Sequence, residues 1–212
     1  MLHTTPRLYL SSVSDRLSHQ LRFVRELDKL KGVLRRTSLI DRSRRENSAE
    51  HSWHLAMMAL ALGEYAPAGT DVARAIELLL VHDVVEIDAD DTFAFDVAGN
   101  LDKLERETAA AERIFGLLPD DVAREFRARW DEFEANETKE ARFANALDRF
   151  QALLLNDAAG DGGTWHAHGV SREAVLRRMA PIETGAPGLW PAALEAIARA
   201  TEAGHVRDEP AS

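Results

Sequence analysis

The chain has 212 residues, 45% of them hydrophobic and 29% charged, a length and composition that fit one globular domain and exclude a disordered or fibrous chain. Its 36 acidic and 26 basic residues leave a net charge of −10, which argues against a grip on a nucleic-acid polymer but leaves room for a small phosphorylated ligand at a local basic patch. The absence of cysteine excludes disulfides, zinc ribbons, iron–sulfur clusters and cysteine nucleophiles and agrees with a cytoplasmic setting.

From Met1 to Asp15 there is no apolar core of a secretory signal, and the longest apolar stretch, Leu55 to Leu62, is too short to span a membrane. The Ser11–Ser14 region offers caps for a first helix. In it Leu17, Leu21, Val24, Leu27 and Leu30 recur at three- and four-residue steps, and Gly32 ends it. Residues 35–47 are polar and read as a loop. A second helix starts near Ser48 and runs to about Tyr65. A third, capped by Thr70 or Asp71, runs to about Ile87 and is apolar on most sides, which predicts a central place. Residues 88–100 read as a loop. Further helices are predicted over 101–118, from Pro119 to Asn136, from Thr138 to Ala159, after Ser171, and over 189–203. No run alternates as a strand would, so the class is all-α. Residues 1–212 read as a single domain, with its motifs within 30–160 and C-terminal helices over 171–205.

Polar residues interrupt three of these apolar helices. His82 and Asp83 sit inside IELLLVHDVVEI, and Glu86 follows four residues after His82, on the same helical face. Burying an ionised aspartate beside a histidine is costly unless something compensates. A metal ion would, and so would a hydrogen-bonded core pair. His51 and His54 lie three apart on the preceding helix; a solvent-facing N-terminal turn, next to the capping-type run Ser48-Ala49-Glu50, explains them equally well. Asp148 sits in ANALDRFQALLL, where an ion pair with Arg149 or Arg142 at the bundle edge is the plain alternative. The three interruptions together are harder to assign to separate accidents.

The segments RRENSAEHSWHLAMMALAL (44–62), LLLVHDVVEIDADDT (78–92) and NALDRF (145–150) resemble the HD-domain metal-dependent phosphohydrolases, most of all their bacterial 5′-deoxynucleotidase branch. The resemblance extends over roughly residues 20–160 and implies a helical HD bundle. It implies His51, His82, Asp83 and Asp148 as metal ligands and Glu86 as the group that handles the proton of the attacking water. It also implies Arg36 as a phosphate contact, Asp91 as an acid near sugar and phosphate, and His54 as a pocket-wall or supporting residue. The chain departs from the family pattern at Thr37, where some members carry an aromatic, and at Asp90, where glycine is common.

Two imidazoles and two carboxylates suit divalent Mn, Co, Ni, Fe or Zn, with Mg possible. No histidine falls between Asp83 and Asp148, the interval from which two-metal relatives draw extra ligands, so the resemblance implies one metal per chain. The expected reaction is attack of water on a small phosphomonoester, a nucleoside monophosphate above all, by a cytoplasmic homodimer. Another phosphomonoester, such as a sugar phosphate, and a non-catalytic metal-binding module are the alternatives. Residues 29–45 carry seven Lys/Arg and one acid, and of these Arg36 is the expected phosphate contact and the rest surface. Residues 83–96 carry six acids and no base. Phe93 and Phe95 are read as core or dimer contacts rather than base-stacking platforms, and Trp53 and Trp130 as packing residues.

Overall fold

The computed structural model describes residues 14–96 and 98–208; of the proposed Ser11–Ser14 cap region, Ser11 to Val13 lie outside the described residues. Ser14 itself caps α1 (Asp15–Leu27), its hydroxyl accepting from the Leu17 amide at 3.3 Å, and a 3-10 turn (Asp28–Gly32) ends the segment. The stretch read as a loop is instead a small antiparallel hairpin, β1 (Leu34–Ser38) and β2 (Arg45–Asn47), with Leu34 opposite Asn47 and Ser38 opposite Arg45. It is closed at its base by Arg45, whose guanidinium donates to the carbonyls of Arg35 and Leu34. At its tip Asp41 accepts from the Ser43 amide at 2.9 Å, the side-chain-to-backbone bond of an Asx turn.

The rest is helical: α2 (Ser48–Leu62), α3 (Val72–Val81), α4 (Glu86–Ala89), α5 (Lys103–Phe115), α6 (Asp120–Ala135), α7 (Lys139–Ala159), α8 (Thr164–Ala167), α9 (Arg172–Met179), α10 (Pro181–Gly185) and α11 (Trp190–Glu202). The all-α expectation holds, apart from the hairpin. No helix among the described residues is long and apolar enough to cross a membrane.

The third helix departs from expectation in two ways. It does not run unbroken to Ile87: it tightens to a 3-10 turn over His82–Val85 before α4 begins, a mid-helix change that often accompanies functional or strained positions. Nor is α3 buried all round, since Leu80 faces solvent. The central helix is α7, which packs on α2, α3, α6, α10 and α11. Its Phe143, Leu147 and Leu153, with Leu55 of α2 and Leu78 and Leu79 of α3, are fully buried in one cluster. A second cluster joins Phe23 of α1 to Ile114 and Phe115 of α5 and Trp130 of α6. Trp130 is thus a packing residue as expected, but Trp53 is 63% exposed.

Helix α10 packs backbone against backbone on α7 at Gly185. A Cβ placed on Gly185 would meet the Arg142 carbonyl oxygen at 2.2 Å and the Ala146 side chain at 2.9 Å. Backbone cannot retreat as a flexible side chain can, so Gly185→Ala is expected to cost about 1–3 kcal/mol or more. Chemical denaturation would show this as a lower midpoint, and an unchanged midpoint would mean the two helices separate freely.

Candidate metal centre and its pocket

Two chain segments converge on α7. Asn47 caps α2 through its side-chain oxygen, which accepts from the Glu50 amide at 3.0 Å, while the Glu50 carboxylate accepts in return from the Asn47 amide at 3.3 Å. The capping residue is therefore Asn47 and not Ser48. The cap fixes the first turn of α2 with Ser48 and His51 directed inward, both at 0% exposure, which removes the solvent-facing reading of His51. From the other side, the 3-10 turn presents His82 and Asp83, and α4 opens with Glu86; all three are buried.

His51 Nε2 lies 3.0 Å from Asp148 Oδ1 and 3.9 Å from Asp83 Oδ2, and His82 Nε2 lies 2.9 Å from Asp83 Oδ1. Ligating atoms of His51, His82 and Asp83 all fall within 4.8 Å of one another. His82 Nδ1 donates to the Leu79 carbonyl at 2.8 Å, which fixes the tautomer and leaves Nε2 as the free donor atom. That buried Nε2 makes no aligned hydrogen bond among the described residues, its contact being the 2.9 Å ion pair with Asp83. Behind His51, Glu46 of β2 places Oε2 3.5 Å from Nδ1, and Gln151 ties Glu46 (2.7 Å) to His54 Nδ1 (3.2 Å). His54 is therefore joined to the site through Gln151 and Glu46, not through the cluster. Two imidazoles, one with a carboxylate behind it, and two aspartates form a donor set that fits a divalent ion once the histidines are deprotonated.

The charges are strongly coupled. Burial opposes the His82 imidazolium, but the Asp83 carboxylate, with Asp148 beyond it, outweighs burial and lifts His82 to about 9. Burial likewise opposes ionised Asp83 and Asp148. The facing histidines and Arg35 prevail and hold both below the usual carboxylate range. Glu86 goes the other way: burial first, then the charges of Asp83 and Asp91, push its carboxyl well above the usual range. Its Oε2 accepts from the Ser48 hydroxyl at 2.6 Å.

Arg35 is the residue that sequence reasoning placed on the surface and the structure places inside. Its guanidinium is 3.0 Å from Asp83, 3.7 Å from Asp91, 3.9 Å from Asp148 and 3.5 Å from Glu46. Arg36, one residue on, is exposed and lines the mouth of the pocket. Strand alternation is the cause: adjacent residues of β1 point to opposite faces. The plain alternative for Asp148, an ion pair with Arg149 or Arg142, is not what forms, since its partners are His51 and Arg35.

His82, Asp83, Glu86, Asp91 and Asp148 face a cavity of about 350 Å³, a volume suited to a small ligand. Phe93 and Phe95 line it, with ring centroids 5.4 Å apart. Lys103 and Glu107 of α5 also line it, with Nζ and Oε1 3.4 Å apart. Neither was singled out in the sequence, because each occupies an ordinary helical position.

The loop that carries Asp91 is strained. Asp90 has φ 59° and ψ 155°, a region that is nearly glycine-only and costs other residues about 1–3 kcal/mol. Glycine gives part of this back through unfolded-chain entropy, so Asp90→Gly is expected to stabilise the fold by about 1 kcal/mol. A melting temperature that falls or stays level would show that this backbone is not strained.

A family model described as HD domain matches residues 27–190. The 5′-deoxynucleotidase HDDC2 of Mus musculus is 32% identical over 136 residues, covering 63% of this chain and 66% of that protein, so the chain spans slightly less than two thirds of that relative. A solved structure described as a predicted metal-dependent phosphohydrolase from Magnetospirillum magnetotacticum MS-1 is 51% identical. It superposes with a TM-score of 0.85 over 91% of this chain and 99% of that one. An HD-domain phosphohydrolase from Listeria innocua, at 17% identity and a TM-score of 0.59 over 87% of this chain and 98% of that one, shares the fold.

Proposed function

The chain belongs to the HD-domain family, and we propose that it is a metal-dependent phosphohydrolase that removes the 5′-phosphate from (deoxy)ribonucleoside monophosphates. The observation that carries this reading is the buried His51–His82–Asp83 cluster, joined by Asp148 and opening onto a cavity that also holds an acid of raised pKa. A structural metal site needs neither that acid nor the cavity. The deoxynucleotidase relative and the 51% identical phosphohydrolase structure support the same chemistry.

His51, His82, Asp83 and Asp148 would hold one divalent ion per chain (Mn, Co, Ni, Fe, Zn or Mg). Such an ion supplies Lewis-acid polarisation of the phosphoryl oxygen and lowers the pKa of water. Glu86 is the proton-handling group. Burial and its acidic neighbours raise its affinity for a proton, and the Ser48 hydroxyl orients Oε2. Arg36 at the cavity mouth meets the phosphate charge. Asp91, 3.7 Å from the Arg35 guanidinium, would meet the sugar or phosphate, with Phe93 and Phe95 on the cavity wall beside it.

A cytoplasmic homodimer completes the reading. The lack of cysteine is consistent with a reducing compartment, and exposed Leu101 and Leu104 are the kind of apolar surface a second copy would cover.

Substrate class is tested by phosphate release from 5′-deoxyribonucleotides, 5′-ribonucleotides and a sugar phosphate, each with several metals added. Nucleotides are expected to turn over and the sugar phosphate to lag. Preference for the sugar phosphate would reassign the substrate while keeping the chemistry.

A further inference from the structure

A second concavity of about 810 Å³ adjoins the cavity and shares with it Arg36, Arg149, Arg178 and the Phe93–Phe95 wall. Arg177, Arg207 and His168 line only this outer groove. Its lining thus holds five arginines against a single acid, Asp96, in a chain whose net charge is −10.

These arginines are poorly neutralised. Arg177 pairs with Glu173 at 3.2 Å, but among the described residues no carboxylate forms a salt bridge with Arg36, Arg149, Arg178 or Arg207. Arg149 is half-buried, and its Nη1 donates to the Asn145 carbonyl (2.8 Å) and side-chain oxygen (2.9 Å). Its buried Nε has no partner. Arg178 adds a like charge on the same wall, and an anion relieves both the repulsion and the unpaired donor at once. The His168 ring sits 4.7 Å from Phe93, on the wall common to both openings.

We propose that this groove is a second anion subsite, taking a further phosphate carried on the leaving group of the substrate, as in a nucleoside 3′,5′-bisphosphate. The inference rests on the phosphohydrolase reading for its chemistry. Water's oxygen bonds to the 5′-phosphorus, the P–O bond to the nucleoside 5′-oxygen breaks, and that oxygen becomes the hydroxyl by taking the proton the water gives up. The second phosphate stays on the nucleoside product. Planar guanidiniums match phosphate oxygens in pairs, and each charge-assisted contact adds discrimination that a monophosphate cannot collect.

The test compares kcat/KM for deoxyadenosine 5′-monophosphate and deoxyadenosine 3′,5′-bisphosphate in the metal-loaded protein and in the Arg177→Ala/Arg207→Ala variant. Both substituted side chains lie outside the inner cavity. The natural chain is expected to favour the bisphosphate by about tenfold or more. The variant is expected to lose that preference through KM while keeping its monophosphate turnover. Equal values in the natural chain, or a variant that loses both substrates alike, overturns the subsite. Equilibrium dialysis of the two nucleotides against metal-stripped protein separates this from the parent reading. Absent turnover with tighter bisphosphate binding that the variant abolishes would overturn the hydrolase and keep the subsite. Equal binding would overturn the subsite whatever the turnover.

Discussion

Glu86→Ala is expected to retain a full complement of metal and to lose phosphate release by about two to four orders of magnitude, the range that general acid–base groups contribute. Glu86 is buried and opens onto the cavity beside the ligand cluster, and it is held by the Ser48 hydroxyl at 2.6 Å. Burial and the charges of Asp83 and Asp91 raise its pKa, so it keeps a proton at a pH where an ordinary carboxylate has released it. Removing it leaves the four proposed ligands where they are. Metal content by elemental analysis, read beside kcat, separates the two effects. Full activity in Glu86→Ala would mean the proton is handled elsewhere; lost metal would mean Glu86 belongs to the ligand set.

His82→Ala is expected to do the opposite, losing metal and activity together. It also removes the imidazole that faces Asp83 at 2.9 Å. Breaking a buried charge pair from one side costs about 3–5 kcal/mol, so the variant should be less stable than the natural chain even without metal. The pH dependence gives a second readout. In metal-stripped protein the folded His82 is lifted from its ordinary 6.5 to about 9. A group whose folded pKa is raised stabilises fully below its unfolded pKa and loses that contribution as pH rises through the folded one. Metal-stripped natural protein should therefore lose stability between about pH 6.5 and about pH 9, and His82→Ala should lose less over the same window. Parallel pH profiles would contradict the His82–Asp83 coupling.

The sequence and the structure agree most closely where apolar periodicity and polar interruption coincide. His82, Asp83 and Asp148 break apolar helices, and a buried break of that kind leaves a readable trace. His51 left a weaker one, because the first turn of a helix tolerates polar residues; only the Asn47–Glu50 cap shows which way that turn faces. The hairpin left none. Residues 34–47 are short and polar, and their pairing depends on Arg45 reaching the carbonyls of Arg35 and Leu34, a contact no periodicity encodes. For the same reason the sequence does not separate Arg35 from Arg36: inside and outside differ by one step along a strand that leaves no periodic signal. Glu46 and Gln151, which support His51 and His54 from behind, are 105 residues apart in the chain. The pairing exists only once α7 is packed against the hairpin. The change to a 3-10 turn at His82 is likewise a product of packing, since the apolar pattern of α3 continues straight through it.

The measurement closest to the central claim is phosphate release from deoxyadenosine 5′-monophosphate by chelator-stripped protein titrated with a divalent metal such as Mn or Co. No release before addition, rising to a plateau near one metal per chain, is the expected result. Release from the stripped protein, or silence while metal is demonstrably bound, would contradict it.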